Sequence, residues 1–509
     1  MNALGAFARV ALRARARVAT CLALGALACS GNVKTYQAKP PAQPAPSSSV
    51  APDPEPWRSE RPKAGQPGEL HFPEPNVVKL ANGLSVYLVH RPTAVVTFDF
   101  VVRHGASSVP EGKSGLAALT ARLLVESTKK HPSRELAEAA ENLGAPLSSS
   151  AGRDESTVSL SALKSDAERA LALLAEVVRE PAFDPKEFER VRAEWVDQLV
   201  GERQAPDRLA SLAGLRLLNG PVLGAPVDGG VSDVKRLRVG DLKDFHARRY
   251  VPSESALIVV GDVGFEALKP GLDQSFGSWR AQAQTQKAPA PALPAPNPGL
   301  KLVAIDRPGA VQTAIFAGQR FPPRASPGFE AREVLGEVVG GLFTSRINMN
   351  LREKHAYTYG ASARPIATRQ WGAFVVGTSV RTDATAPALS EALHELQLAR
   401  DPTLGAPLRP DEIARAKAGL LHALGARLEH GSLIAGSMVQ LFSLDLGNDY
   451  FSRYPGLVNA VSTSELEASQ RLLDPEDLIV VVVGDLAQIR PGFDKLGWKL
   501  EPAAEALTD

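Results

Sequence analysis

The sequence predicts an α+β protein built from two homologous domains, each a mainly antiparallel sheet packed against helices. An apolar run ending in Gly-Asp occurs at Ala256–Val263 and again at Leu478–Leu486. The glycines that end these runs, Gly261 and Gly484, are 223 residues apart. A Pro/Ala-rich stretch at 287–299 separates the two copies. Recurrence at one offset around a linker is typical of an internal duplication.

Helix and strand signals recur in the same order in both halves. Segments 183–199 and 408–424 each begin with Pro and acidic residues and continue with helical spacing, as helix N-termini do. Strand-like segments precede them in each half. These segments are Leu84–Val89 and Val96–Val102 in the first half, and Leu300–Ile305 and Thr313–Phe316 in the second.

Composition narrows the class of protein. Hydrophobic residues make up 44% and charged residues 22%, as in ordinary globular proteins. The formal net charge is +1, so nothing favours nucleic acid as a partner. The two cysteines, Cys21 and Cys29, are too few for a cysteine-only zinc site or a disulfide scaffold.

The N-terminus has the pattern of an export signal. Residues 1–17 carry four arginines and no acid, and residues 18–28 are apolar but too short to span a bilayer. Because Ala28 precedes Cys29, the segment resembles a lipoprotein processing site that would leave Cys29 lipidated. The alternative is a plain signal peptide that is cut elsewhere. We expect an envelope protein that is anchored by lipid on the periplasmic face, with the outer membrane favoured.

These signals divide the chain into consecutive segments. The predicted segments are a signal peptide (1–28), a lipidated Pro/Ala-rich tether (29–75), an N-terminal domain (76–284), a linker (285–299), a C-terminal domain (300–502) and a tail (503–509).

Three stretches resemble the insulinase/pitrilysin-type zinc peptidases in their short bacterial form. They are NGLSVYLVHRP at 82–92, VVRHGASSVPEGKSGLAALTARLLVEST at 101–128 and GGLFTSRINMNLREKHAYTYG at 340–360. The resemblance implies the fold of mitochondrial processing peptidase over about residues 76–500. It also implies a chamber that two subunits close around peptide substrates.

The metal motif of that family is missing. Active members carry H-x-x-E-H on a helix, with two zinc-binding histidines and a general-base glutamate. The match places Ala118 and Arg122 at the histidine positions and Ala121 at the glutamate position. The third-ligand position falls near Gln198, with Glu194 as the nearest acid. We therefore expect no metal or other cofactor in this chain.

A second feature of the family is retained. The resemblance implies that Arg352 and Tyr359, seven residues apart, face the metal of the opposing half and stabilise the developing oxyanion. The alternative is an Arg352–Glu353 surface ion pair and a core tyrosine. The resemblance also implies that Gly340 and Gly341 admit peptide substrate, and a helix-ending turn is an equal alternative.

The expected function is that of a non-catalytic, metal-less subunit of an exported peptidase. A zinc-binding homologue would form a heterodimer with it, and Arg352 and Tyr359 would act on the shared peptide. One alternative is a peptide-binding or scaffolding lipoprotein without a proteolytic role. Another is a zinc peptidase whose ligands differ from the family pattern.

Overall fold

A computed structural model describes Glu55, residues 69–144, 147–280, 293–294 and 299–504, and Leu507. The predicted signal peptide, Cys29 and most of the tether and linker lie outside the described residues. The compact unit Glu69–Asp509 holds everything discussed below. Its described helices include none that is long and apolar enough to cross a bilayer.

The described residues of the first half form six strands and eight α-helices. The strands are β1 (Asn76–Lys79), β2 (Ser85–His90), β3 (Val95–Val102), β4 (Ser148–Ala151), β5 (Ser156–Leu163) and β6 (Ser255–Gly261). The helices are α1 (Leu116–Leu124), α2 (Ser133–Glu141), α3 (Ala167–Arg179), α4 (Pro185–Glu202), α5 (Pro206–Leu223), α6 (Val231–Arg236), α7 (Val239–Arg249) and α8 (Phe265–Phe276).

The second half repeats this composition. The strands are β7 (Lys301–Asp306), β8 (Gln312–Phe321), β9 (Thr358–Ala367), β10 (Gly372–Arg381), β11 (Ile479–Gly484) and β12 (Glu501–Pro502). The helices are α9 (Phe329–Gly336), α10 (Arg346–Asn348), α11 (Thr385–Arg400), α12 (Pro410–Ala426), α13 (Gly431–Ser443), α14 (Tyr450–Ala460), α15 (Thr463–Gln470) and α16 (Leu486–Lys495).

The two sheets share the same topology in five of their six strands, which confirms the predicted α+β fold. Their strand orders are β1-β2-β6-β3-β5-β4 and β12-β7-β11-β8-β10-β9. In each sheet the last long strand, β6 or β11, pairs parallel with one neighbour and antiparallel with the other. Most remaining pairs are antiparallel. The strand predicted at Thr313–Phe316 continues to Phe321, because β10 pairs with it along its full length.

One edge strand differs between the halves. In the first sheet β1 forms an antiparallel hairpin with β2. In the second sheet the equivalent edge is taken by β12, which comes from the C-terminal end and runs parallel to β7. The duplication therefore extends to the four central strands and the opposite edge, but not to this one.

The central strands are covered on both faces. Every residue of β6 and β11 is buried, and β5 alternates between buried and partly exposed positions. Strands with two covered faces are continuously apolar, as the run IVVVVG is. Full burial of each Val or Ile side chain contributes about 1.5–3 kcal/mol of transfer free energy.

Each half covers the second face of the other half's sheet. Helix α13 of the second half packs on β3 and β6, and Ile258, Val260 and Met438 belong to one buried apolar cluster there. Helix α5 of the first half packs on β8 and β11, and a Cβ on Gly214 would lie 2.2 Å from the Phe316 ring. The halves therefore share two apolar cores. This exchange was not predicted from the sequence.

Polar contacts also join the halves beside these cores. The Asp154 carboxylate, between β4 and β5, accepts a hydrogen bond from the backbone N–H of Arg369 at 2.9 Å. The Arg103 guanidinium lies 2.6 Å from the Asp445 carboxylate. Such contacts place the turn after β9 against the turn after β4.

Candidate functional site

Helix α1 carries the positions where the family has its metal motif. Gly115 precedes it as the N-cap residue, with a left-handed φ of 86° that suits glycine, and a Cβ there would lie 2.8 Å from the Asp228 carbonyl. The helix packs tightly, and both Ala118 and Ala121 are buried. Edge strand β4 is tied to it, because Ser149 Oγ donates to the Ala121 carbonyl at 2.7 Å.

Arg122, at the second histidine position, contacts an aromatic ring of helix α4. Its Cζ lies 4.9 Å from the centre of the Trp195 indole. The indole is itself held in place, because its Nε1–H donates to the Asp228 carbonyl at 2.9 Å. A guanidinium over an indole face is a favourable cation–π arrangement. The space between α1 and α4 is thus bridged by a fixed positive charge.

The nearby acidic side chains are already paired with an arginine. Arg190 contacts Glu126, Glu187 and Glu194, and the two Arg190–Glu194 hydrogen bonds measure 3.0 and 3.1 Å. Hydrogen bonds to Glu187 and Glu194 hold the pKa of Arg190 above its ordinary value. Gln198, at the third-ligand position, is exposed and donates from Nε2 to Glu202 at 3.0 Å.

These residues do not fit a zinc ion. Alanine has no ligand atom, arginine stays protonated and repels a cation, and a carboxamide is a weak ligand for Zn²⁺. Across the described residues no group of three His, Cys, Asp or Glu side chains is placed to hold a metal ion.

The second candidate site lies in residues 337–360, where the backbone is irregular. Helix α9 continues into a π-helical turn at Glu337–Gly341, and α10 continues into another at Met349–Lys354. Ala356 then adopts a left-handed φ of 52°. Such conformations are costly for residues other than glycine and are enriched at functional sites.

Arg352 lies in the second π-helical turn. Its guanidinium stacks over the Phe343 ring at 4.4 Å and lies 3.5 Å from the Glu353 carboxylate. The ion pair that was the alternative interpretation is therefore present. It is long, however, and the Arg352 side chain remains 34% exposed, so its charge stays accessible.

Tyr359 projects from a β-bulge at the start of β9. Thr358 pairs with Val380 and Ala361 pairs with Thr378, so two residues of β9 face one residue of β10. Tyr359 is 90% exposed, which excludes the alternative of a core tyrosine. Bulges redirect side chains and are frequent beside active sites. The phenol is therefore free to contact a partner or a substrate.

Gly340 and Gly341 differ in their surroundings. A Cβ on Gly340 would lie 2.0 Å from the Ala363 backbone nitrogen, so glycine is required for the π-helical turn to pack on β9. A Cβ on Gly341 would meet the flexible Glu337 side chain at 2.6 Å. Gly341 is exposed and begins the segment that leads to exposed Phe343. Substrate binding by these glycines stays a prediction.

Asn348 is a positioning residue that the sequence did not indicate. It is buried, and its Nδ2 donates to the Phe343 carbonyl at 2.6 Å. Its Oδ1 accepts from the Ala361 backbone N–H at 3.0 Å. One side chain therefore fixes both the loop that carries Phe343 and the strand that carries Tyr359. A single asparagine at a helix end gives no signal for this role in one sequence.

The two candidate sites lie in different halves. Within the described residues, the side-chain contacts of Arg122 stay in the first half, and those of Arg352 stay in residues 343–353. A backbone hydrogen bond closes the turn that leads from Arg352 toward the strand with Tyr359, since Ala356 N–H donates to the Arg352 carbonyl at 3.1 Å. The structure thus joins Arg352 to Tyr359 through one short segment.

Comparisons with known families agree with this architecture. Residues 85–212 match the insulinase family (peptidase family M16), and residues 236–420 match the peptidase M16 inactive domain. The chain belongs to the insulinase family. This confirms the resemblance that the sequence suggested.

Relatives and solved structures show how far the likeness extends. An uncharacterized zinc protease of Mycobacterium leprae is 27% identical over 283 residues, which cover 55% of this chain and 63% of the relative. The match thus spans a little under two thirds of that relative. A peptidase M16 inactive domain from Pseudomonas fluorescens superimposes with a TM-score of 0.73 at 21% identity, covering 81% of this chain and 98% of that one. A Helicobacter pylori protease gives 0.72 at 19% identity, covering 81% and 100%. Likeness at such identity shows a shared fold.

Proposed function

We propose that this protein is a metal-less subunit of an insulinase-type peptidase. A partner subunit with an intact H-x-x-E-H motif would supply zinc and the attacking water. This chain would supply Arg352, Tyr359 and part of the peptide-holding surface. The observation that supports the proposal is the Arg122–Trp195 contact, because the sequence resemblance assigns position 122 to the second metal-binding histidine and the guanidinium there rests on an indole.

The proposed roles of the two subunits follow from the charge that develops during the reaction. Hydrolysis of a peptide bond develops negative charge on the carbonyl oxygen, which positioned donors stabilise. A half-exposed guanidinium and an exposed phenol can both donate hydrogen bonds to such an oxygen. Neither group can generate hydroxide from water at neutral pH. The pair therefore suits an accessory role beside a metal held by another subunit.

The proposal includes a location in the cell envelope. A diacylglyceryl group on Cys29 would anchor the chain, and the Pro/Ala-rich tether would hold the folded part away from the membrane surface. Replacement of Cys29 by Ser should move the protein from the membrane fraction to the soluble periplasmic fraction. If the serine variant stays in the membrane fraction, lipid anchoring at this position is wrong.

The decisive experiment is reconstitution with a zinc-binding homologue from the same genome. The two chains are co-purified, and cleavage of a quenched fluorescent peptide is followed for wild type, Arg352→Ala and Tyr359→Phe. Loss of an oxyanion donor lowers kcat by about 10²–10³-fold, so each variant should fall by at least about 10²-fold. KM should change less than kcat if the contact forms in the transition state.

Two matched control variants distinguish loss of a catalytic group from a general effect on packing. Tyr357→Phe removes a hydroxyl group from a partly buried ring whose centre lies 5.0 Å from the centre of the stacked His355 ring. Arg364→Ala removes an exposed arginine from the same strand as Tyr359. Both controls should retain full activity. Unchanged cleavage by the Arg352 and Tyr359 variants would refute the accessory role, and zinc-dependent cleavage by the isolated chain would refute the metal-less assignment.

A further inference from the structure

A polar cavity lies among helices α9, α12, α13 and α14. Its volume is about 250 Å³, slightly below the roughly 300–1,000 Å³ of sites for drug-sized ligands. Its lining combines apolar side chains with two arginines, Arg324 and Arg427. It shares no lining residue with the candidate sites described above.

Arg324 is the unusual member of this lining. Only 8% of the residue is exposed, and its Cζ lies 3.6 Å from the centre of the Phe329 ring and 4.7 Å from that of Tyr450. Among the described residues its guanidinium makes no hydrogen bond and has no carboxylate within 4.0 Å, although its charge acts on the Glu333 carboxyl across the cavity. Ring faces attract the cation without using its N–H donors. No Arg324 nitrogen is among the fully enclosed polar atoms that lack a partner, so its donors open onto the cavity, where an anion can accept from them.

A second cation is available in the same cavity. Arg427 is half-buried, its Nη1 donates to Gln440 Oε1 at 3.3 Å, and its Cζ lies 5.6 Å from the Phe451 ring. One neutral amide contact leaves most of its five donors free. Two guanidinium groups that line one small cavity favour a planar, doubly accepting group such as a carboxylate.

One acid also lines the cavity. The Glu333 carboxylate accepts a hydrogen bond from the Tyr454 hydroxyl at 2.8 Å. Burial raises the pKa of Glu333 to about 7, so near neutral pH this group is partly protonated and opposes an anion only weakly. Glu330, close by on α9, accepts a hydrogen bond from Tyr450 at 2.9 Å. The cavity therefore keeps a net positive lining.

The remaining walls are apolar. They are formed by side chains of Leu420, Leu424, Leu444, Leu446 and Phe451. We propose that the cavity binds a small organic carboxylate, with its anionic group against Arg324 and Arg427 and its apolar body against this leucine-rich wall. The cavity volume limits the ligand to about the size of an aromatic acid with a single ring.

Calorimetric titration of the full chain with benzoate tests the proposal. Benzoate should bind with a stoichiometry of one, and the neutral isostere benzamide should bind at least about tenfold more weakly. Inorganic phosphate, which is anionic but has no apolar body, should also bind more weakly than benzoate. Arg324→Met and Arg427→Met should each weaken benzoate binding by at least about tenfold.

Controls keep the outcome interpretable. Arg134→Gln removes an arginine whose side chain is 89% exposed in the first half, and it should leave benzoate binding unchanged. If Arg324→Met fails to fold, the Arg427→Met variant, at a half-buried position, tests the proposal by itself. Four results would overturn the proposal: no saturable binding of benzoate up to about 10 mM, equal binding of benzamide, tighter binding of phosphate, or benzoate binding that survives loss of the arginines.

Discussion

Replacement of Glu333 by Gln should change how stability depends on pH. The carboxyl group lies on helix α9 among Tyr454, Arg324, Glu330 and Arg427, and burial raises its pKa from 4.5 to about 7. The difference corresponds to about 3 kcal/mol, because one pKa unit is equivalent to 1.36 kcal/mol. Glutamine keeps the hydrogen bond from the Tyr454 hydroxyl but cannot ionise.

The direction in which stability changes with pH follows from how many protons the folded and unfolded chains bind. Below about pH 4.5 the Glu333 carboxyl is protonated in both the folded and the unfolded chain. Between pH 4.5 and about 7 the folded chain holds a proton that the unfolded chain has lost, so the free energy of unfolding decreases as the pH rises. Above about pH 7 that contribution, at most about 3 kcal/mol, is gone. The Gln variant should lack this part of the decrease.

Urea unfolding at a series of pH values between 4.5 and 8 measures the effect. The difference in unfolding free energy between Glu333→Gln and wild type should move in favour of the variant by about 3 kcal/mol across this range. Glu330→Gln is the matched control, since Glu330 also accepts a tyrosine hydroxyl hydrogen bond on the same helix. That control retains Glu333 and should retain most of the decrease. Parallel curves for wild type and Glu333→Gln would show that the reasoning is wrong.

Three further substitutions test local packing, each by urea unfolding. Arg122→Ala should lower the free energy of unfolding by about 0.5–1 kcal/mol through loss of the Trp195 contact, and no loss would show that the contact is not stabilising. Ala356→Gly should raise it by about 1 kcal/mol by relieving the left-handed backbone, and a decrease would argue against strain. Gly340→Ala should lower it by at least about 2 kcal/mol, since the new methyl group meets the Ala363 backbone at 2.0 Å, and a neutral result would refute that close approach.

Local patterns in the sequence predicted the duplicated central strands and the helices with strong N-terminal signals. The duplicated strands were visible because β6 and β11 are buried on both faces and so read as continuous apolar runs. Helix α4 was visible because Pro185 occupies its first turn and the Asp184 carboxylate caps it, accepting from the Lys186 N–H at 2.8 Å. Each of these signals lies within a few residues.

Features that depend on distant residues were not predictable. The exchange of α5 and α13 between the halves needs both sheets to exist before either helix has a surface to cover. The Arg122–Trp195 contact joins residues 73 positions apart. The sequence showed that Arg122 is unsuited to bind a metal ion. It gave no indication of what the guanidinium contacts instead.

The distribution of strained backbone supports the proposed division of labour. Around Ala118 and Arg122 the chain forms a regular helix, with buried alanines and a guanidinium resting on an indole ring. Residues 337–360 keep two π-helical turns, a left-handed alanine and a bulge. Conformations of this kind cost about 1–3 kcal/mol each and persist where the surrounding structure or a function holds them. The segment around Ala118 and Arg122 is therefore regular, and the segment that presents Arg352 and Tyr359 has costly backbone geometry, as expected if the second segment takes part in catalysis.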